Sequence, residues 1–197
     1  YGEVIPEEKL VELRDLIPAK ERIALIGPTV EGLKGLLAGI VSRVPVYLEG
    51  VTGVGKNALI RYLGHLTQTP LYRINFGRGT DEGQLYGHFE THMEEVEEEV
   101  RDEATGKMKK RKVVERIDEE TGEIFYKKQK RVELKDGKMI EAMQYGGWVI
   151  WDEMNLAMSG FLVGQNGLLD QIDKGEVTIR QGGKLKTIKV HENFRLF

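Results

Sequence analysis

The sequence has no cysteine among its 197 residues. Disulfides and thiolate metal sites are therefore excluded, and the fold must be held by burial. Proline is scarce, with five residues, and tryptophan scarcer, with two. The four histidines, His65, His88, His92 and His191, fall in no spacing that suits a metal. No apolar run approaches the ~18 residues of a membrane span. No signal-peptide pattern opens the chain. The net charge of -3 exerts no global pull on nucleic acid. A chain of this length can bury ~70% of its unfolded surface, so it needs no staples. What these absences leave is the expectation of a soluble, cytoplasmic α/β protein.

Glycine, in contrast, is abundant, with 24 residues. One glycine cluster carries a pattern: Gly50-Val51-Thr52-Gly53-Val54-Gly55-Lys56-Asn57. A β-favouring run from Val44 to Glu49 leads into it, and a helix-like run from Ala58 to Leu63 follows. Strand, glycine loop, lysine and helix form the context of a phosphate-binding loop, or Walker A motif. The glycines let the backbone wrap a di- or triphosphate. The N–H groups of Val51, Thr52, Gly53, Val54, Gly55 and the first helical turn through Ala58 then face its oxygens. Lys56 adds a point charge on the β- and γ-phosphates. Asn57 stands where a Ser or Thr hydroxyl usually holds Mg²⁺. An amide oxygen is a competent Mg²⁺ ligand but a poorer one beside a phosphate. The expectation is that nucleotide binding is retained and hydrolysis slowed.

A phosphate loop needs an acidic partner. Trp148-Val149-Ile150-Trp151 is an apolar strand that ends in Asp152-Glu153, as a Walker B strand does. In a parallel sheet, ligands sit beyond the carboxyl ends of the strands, where these acids fall. Asp152 is the candidate metal ligand, with Asn57. Glu153 is the candidate general base, or the group that orients the attacking water.

Elsewhere the periodicity predicts helices over Pro6 to Ile17, Val30 to Ser42, Thr80 to His88, Met139 to Gln144 and Ser159 to Ile172. Leu33, Leu36, Leu37 and Ile40 share one face of the second helix. Thr80 or Asp81 would cap the third. Strands are predicted at Pro70 to Phe76, at Gly147 to Glu153, and in a hairpin over Glu176 to Ile179 and Leu185 to Val190. From Thr91 to Lys135 the composition shifts to blocks of Glu and then of Lys and Arg. Turn signals fall at Ala104–Lys107 and Glu119–Gly122. A projecting β-hairpin or three-stranded meander is expected there, with too few apolar residues for a core of its own. Asn193 to Phe197 begins another strand, so the sheet is expected to be cut short. The domain reading is a helical lead over 1–22 and a nucleotide-binding core over 23–197, with an insertion at 91–135.

The chain resembles the AAA+ ATPases of the MoxR/dynein-related, midasin-like group. The matching residues are Gly50 to Lys56, Thr80-Asp81 before Leu85-Tyr86-Gly87, and Asp136-Gly137 before Glu141-Ala142. They continue with Gly147-Trp148 through Asp152-Glu153-Met154-Asn155-Leu156-Ala157, then Leu168-Leu169-Asp170, then His191 through Phe197. They run in the family's order from about Ile23 onward. The resemblance implies a P-loop NTPase core, with a three-layer parallel sheet, that uses ATP and Mg²⁺. It implies that Ile26 and Gly27 line the adenine pocket. It implies that Asn75 can hold the catalytic Glu153 away from the water. It places the 91–135 excursion and the Glu176–Val190 hairpin on the substrate face of a ring, commonly a hexamer, that remodels a protein partner. The sensor, arginine finger and helical lid of such ATPases do not occur up to Phe197.

Other functions stay open. A nucleotide-binding assembly module with little hydrolysis would suit Asn57. A GTP-using motor of a restriction-type system shares the general motifs, but no Asn-Lys-x-Asp guanine signature is present. A nucleic-acid motor could use Lys109-Lys110-Arg111-Lys112 on phosphates. The neighbouring acidic block argues instead for a solvated hairpin.

Overall fold

The computed structural model describes residues 5–24, 26–50, 53–80, 82–101, 108–118, 121–181 and 183–197. These form two compact units, residues up to His88 with Asp136–Phe197, and Phe89–Lys135.

In the first unit, helix α1 (Glu7–Asp15) ends before Pro18, as a helix must when proline follows. Helix α2 (Gly27–Ser42) starts three residues earlier than its apolar periodicity suggests, because Pro28 sits comfortably in its first turn. Helix α3 (Lys56–Leu66) follows the glycine loop, and strand β1 (Leu71–Asn75) follows it. Helix α4 (Glu82–Tyr86) is shorter than the expected Thr80–His88, because the chain turns extended at Gly87. Thr80 accepts a bond from the Gly77 N–H at 2.8 Å, and Asp81, the other expected cap, lies outside the described residues.

The chain leaves the unit and returns through strands β2 (Gly87–Glu95), β3 (Glu97–Arg101), β4 (Met108–Lys112), β5 (Val114–Ile117), β6 (Ile124–Tyr126) and β7 (Lys128–Asp136). Helix α5 (Lys138–Tyr145), strand β8 (Trp148–Asp152), helices α6 (Ser159–Gly164) and α7 (Asn166–Asp173), strands β9 (Glu176–Gln181) and β10 (Lys184–Lys189), and strand β11 (Arg195–Leu196) complete it. The expected single helix over Ser159–Ile172 is thus two. Gly164 weakens the join, and the buried Gln165 turns its amide onto the Phe161 carbonyl and receives the Tyr86 hydroxyl. Burial pushes the Tyr86 phenol up to about 12.

The sheet is parallel, in the order β1–β8–β11. Leu71 opposes Trp148 and Asn75 opposes Asp152, while Arg195 opposes Trp148 on the other side. Alternation along β8 sends Val149 and Trp151 to one face and Trp148 and Ile150 to the other. The first pair joins Tyr72, Ile74, Met139, Ile140, Met143, Val177 and Ile188. The second joins Leu36 of α2, Ile60 and Leu63 of α3, and Phe197. Helices thereby cover one face, and helices with the β9–β10 hairpin cover the other. The result is an α/β fold with a three-layer parallel-sheet core. Complete burial of a side chain such as Leu36 or Ile60 contributes about 1.5–3 kcal/mol.

The run from Val44 to Glu49, expected as a strand, has no strand ladder. It lies beside β11, and one bond ties it there, from the Val46 N–H to the Leu196 carbonyl at 3.0 Å. Pro45 has no N–H to offer, and β11 is two residues long, so a continuous ladder has nothing to form on. Packing holds the run instead. A Cβ on Gly39 would sit 2.0 Å from Val46 Cγ2, so only glycine lets the chain fold back this closely on α2.

The second unit is richer than a hairpin or meander. β2 pairs with β7, β3 with β4 and β5 with β6, each as a two-stranded sheet. Three backbone bonds of 2.8 Å close a ring where the pairs meet: Val96 N–H to Lys127, Val113 N–H to Val96, and Lys127 N–H to Val113. The β3–β4 and β5–β6 pairs are therefore separate arms, and the turn signals at Ala104–Lys107 and at Glu119-Glu120 lie outside the described residues. In the β3–β4 arm, Glu97, Glu98 and Glu99 oppose Lys112, Arg111 and Lys110. Opposite charges across a ladder suit each other and favour the pairing of the two strands. The Arg131 guanidinium, hydrogen-bonded to Glu94, holds that carboxyl below its ordinary range. No described residue of this unit belongs to either buried cluster.

Replacing Met93 to Lys130 by a short Gly/Ser linker should therefore leave the core folded. A thermal midpoint within about 4 °C of the parent is expected, the shift that ~1 kcal/mol gives in a domain of this size. A deletion that unfolds the protein would show that the segment supplies core contacts.

Candidate functional site

The site is assembled where the N-terminus of α3 meets the carboxyl end of β8. Gly55, at φ 83°, turns the glycine loop into α3, a conformation that disfavours any side chain. Lys56 is then the first helical residue, and its ammonium donates to the Gly50 carbonyl at 2.7 Å, across the mouth of the loop. Asn57 and Ile60 lie three apart on one helical face, which Ile60 buries against the sheet. That burial points Asn57 at the strand end, where its Nδ2 donates to Asp152 Oδ2 at 2.9 Å.

β8 stops at Asp152. Glu153 adopts φ 56° and ψ 38°, the left-handed region, and a single turn of 3₁₀ helix follows over Met154–Leu156. Such a conformation is costly for a residue with a Cβ and recurs at functional turns. It exposes the Glu153 side chain at the strand end. A cleft of about 310 Å³ results, lined by Gly50, Lys56, Asn57, Asp152 and Glu153 together with Tyr47 and Phe197. The α3 N-terminus and Lys56 supply positive potential, and the carboxylates of Asp152, Glu153 and Glu49 line the same cleft.

The structure thus brings Lys56, Asn57, Asp152 and Glu153 to one cleft. Asn75 opposes Asp152 in the β1–β8 register, one residue from Glu153. Gly53, Val54 and Gly55 lie in the loop, and Ala58 on α3 behind it. Ile26 and Gly27 are exposed at the start of α2 and are not among the described lining residues. Val51 and Thr52 lie outside the described residues. Sequence reasoning missed Arg73. Its Nε donates to Asp152 Oδ2 at 2.8 Å, and a second guanidinium N–H reaches the same oxygen. A polar pair two apart, Arg73 and Asn75, on a short strand was the available signal.

Among the described residues no group of three or more His, Asp or Glu could hold a metal by itself. A divalent ion here would rest on Asp152, Asn57 and the ligand's own oxygens. These are hard oxygen donors, which suits Mg²⁺.

A parallel sheet, a glycine loop opening a helix and an acidic strand end are the parts of a P-loop NTPase fold. Residues 45–126 match the AAA domain of the dynein-related subfamily. The chain is 29% identical to midasin of Dictyostelium discoideum over 188 residues, 95% of this chain. It is 29% identical to midasin of Giardia intestinalis over 131 residues, 66% of this chain. It spans only 3% and 2% of those two proteins. A solved structure from Cytophaga hutchinsonii aligns over 96% of this chain and 41% of its own, at 17% identity and a TM-score of 0.47, too distant to add to the assignment. By these matches the chain is similar to the AAA domains of the dynein-related subfamily and to the midasins. Among the described residues, no helix is long and apolar enough to cross a membrane.

The left-handed Glu153 gives a stability test. Glu153→Gly should raise stability by about 1 kcal/mol by relieving the backbone, while removing the carboxylate from the cleft. Denaturant unfolding at unchanged slope reads this directly. A lower midpoint would show that the conformation costs nothing.

Proposed function

We propose that this chain binds ATP with Mg²⁺ in the cleft between α3 and β8. Within the assembled protein it hydrolyses that ATP as one module of a ring-forming, protein-remodelling machine. The observation that carries this reading is the convergence of Lys56, Asn57, Asp152 and Glu153 on one cleft at a helix N-terminus.

On this reading Lys56 exchanges the Gly50 carbonyl for phosphate oxygens, and the loop amides cradle the remaining charge. Asp152 and Asn57 would hold the metal, which when bound would supply positive charge against the charge that develops on the phosphates. Glu153 accepts the proton of the attacking water, or orients it. Asn75, opposite Asp152 in the β1–β8 register, would draw Glu153 off the water until the site is complete. The ring would carry the Phe89–Lys135 unit and the β9–β10 hairpin toward a protein partner.

One observation favours the second reading, an assembly module with little turnover. Asn57 meets Asp152 through its Nδ2, because the carboxylate needs a donor. The amide oxygen is therefore turned away from Asp152, and Asn57 must give up this bond before it can ligate a metal, which weakens the hold on Mg²⁺.

Two substitutions test the roles. Lys56→Ala should weaken ATP binding by about tenfold or more, ~1.4 kcal/mol, by removing a charged phosphate contact. Equal affinities in calorimetry would sink the assignment. Glu153→Gln should leave ATP affinity near the parental value and abolish turnover in the assembled protein, since an amide takes no proton. Parental turnover would remove Glu153 from the chemistry.

A further inference from the structure

The Asp152 carboxylate receives three donors on one oxygen. Arg73 Nε lies 2.8 Å from Oδ2, a second N–H of the same guanidinium also reaches it, and Asn57 Nδ2 lies at 2.9 Å. The sheet makes this contact. Arg73 opposes Ile150, so in the parallel register its side chain shares a face with Ile150 and Asp152 and reaches diagonally to the strand end. The two partners differ in freedom. The Asp152 side chain is 16% exposed and the Arg73 side chain 56%. The carboxylate is the more enclosed partner, and the cation, open to solvent, is the one with room to move.

The electrostatic setting gives that mobility a use. A nucleotide brings several negative charges into a cleft that already holds three carboxylates, Glu49 and the adjacent Asp152 and Glu153. Like charges at such range repel unless one is compensated. A guanidinium serves a carboxylate and a phosphate with the same planar fork. We propose that Arg73 is the resident counter-ion of this site. It neutralises Asp152 before any metal arrives, gives the carboxylate up when a metal enters, and so lets nucleotide bind with or without Mg²⁺. This inference rests on the nucleotide reading above and adds to it a residue that sets the metal dependence of binding.

A cross-strand tie that merely orients Asp152 would behave differently, because its loss would weaken only the metal-dependent affinity. Calorimetry with ADP, in EDTA and in saturating Mg²⁺, separates the two on the wild type, Arg73→Gln and Arg73→Lys. The wild type should bind ADP in EDTA within about tenfold of its Mg²⁺ affinity. Arg73→Gln, which keeps polar length but no charge, should lose about tenfold or more in EDTA and less than about threefold in Mg²⁺. Arg73→Lys should recover most of the EDTA affinity. Equal losses in both conditions, no loss in EDTA, no recovery by lysine, or a wild type that needs Mg²⁺ by far more than tenfold would each overturn the role of Arg73 while leaving the nucleotide site standing. ADP binding by the wild type in neither condition would bring down the nucleotide reading, and this inference with it.

Discussion

Burial of β8 on both faces is the constraint on which the rest depends. Trp148, Val149, Ile150 and Trp151 are all buried, and alternation along a strand sends them to opposite sides. Such a strand needs a layer on each face and a neighbour on each edge. The α2–α3 layer answers one face, and α5 with the β9–β10 hairpin answers the other. β1 and β11 take the edges. Once β8 is held this way its carboxyl end is fixed in space, and Asp152 emerges where burial stops. The site is a consequence of that stopping point.

Around Asp152 the molecule gives up local comfort for placement. Glu153 sits in the left-handed region without being glycine. Lys56 bonds the loop's own carbonyl, and Asn57 bonds the acid across the cleft. With Arg73 more than half exposed, its ion pair with Asp152 is worth at most about 1 kcal/mol to the fold. These contacts therefore contribute more to positioning than to stability, which rests on the two buried clusters.

Much of this was legible in the residues, and the parts that were not share a cause. Apolar runs and helical periodicity located β1, β8, α2, α3 and α5 because each signal is local. The family likeness came from short motifs in order, and the AAA domain match supports it. The Val44–Glu49 run misled because its composition favours a strand, while pairing depends on β11 and on the missing N–H of Pro45. The Ser159–Ile172 run divides at Gly164 and Gln165, where the Gln165 side-chain amide takes the Phe161 carbonyl and its oxygen receives the distant Tyr86 hydroxyl. The three-way junction of Val96, Val113 and Lys127 joins residues far apart in sequence, and no local pattern announces it. Arg73 escaped for the same reason, since its meaning lies in a diagonal across two strands 79 residues apart.

The central claim is that the glycine loop and the β8 end hold a nucleotide between them. A crystal structure of the protein with bound ADP tests it most directly. The account predicts the diphosphate in the α3–β8 cleft, with the Lys56 ammonium moved from the Gly50 carbonyl onto a phosphate oxygen. ADP found elsewhere on the surface, or Lys56 still bonded to Gly50 beside an empty cleft, would contradict it.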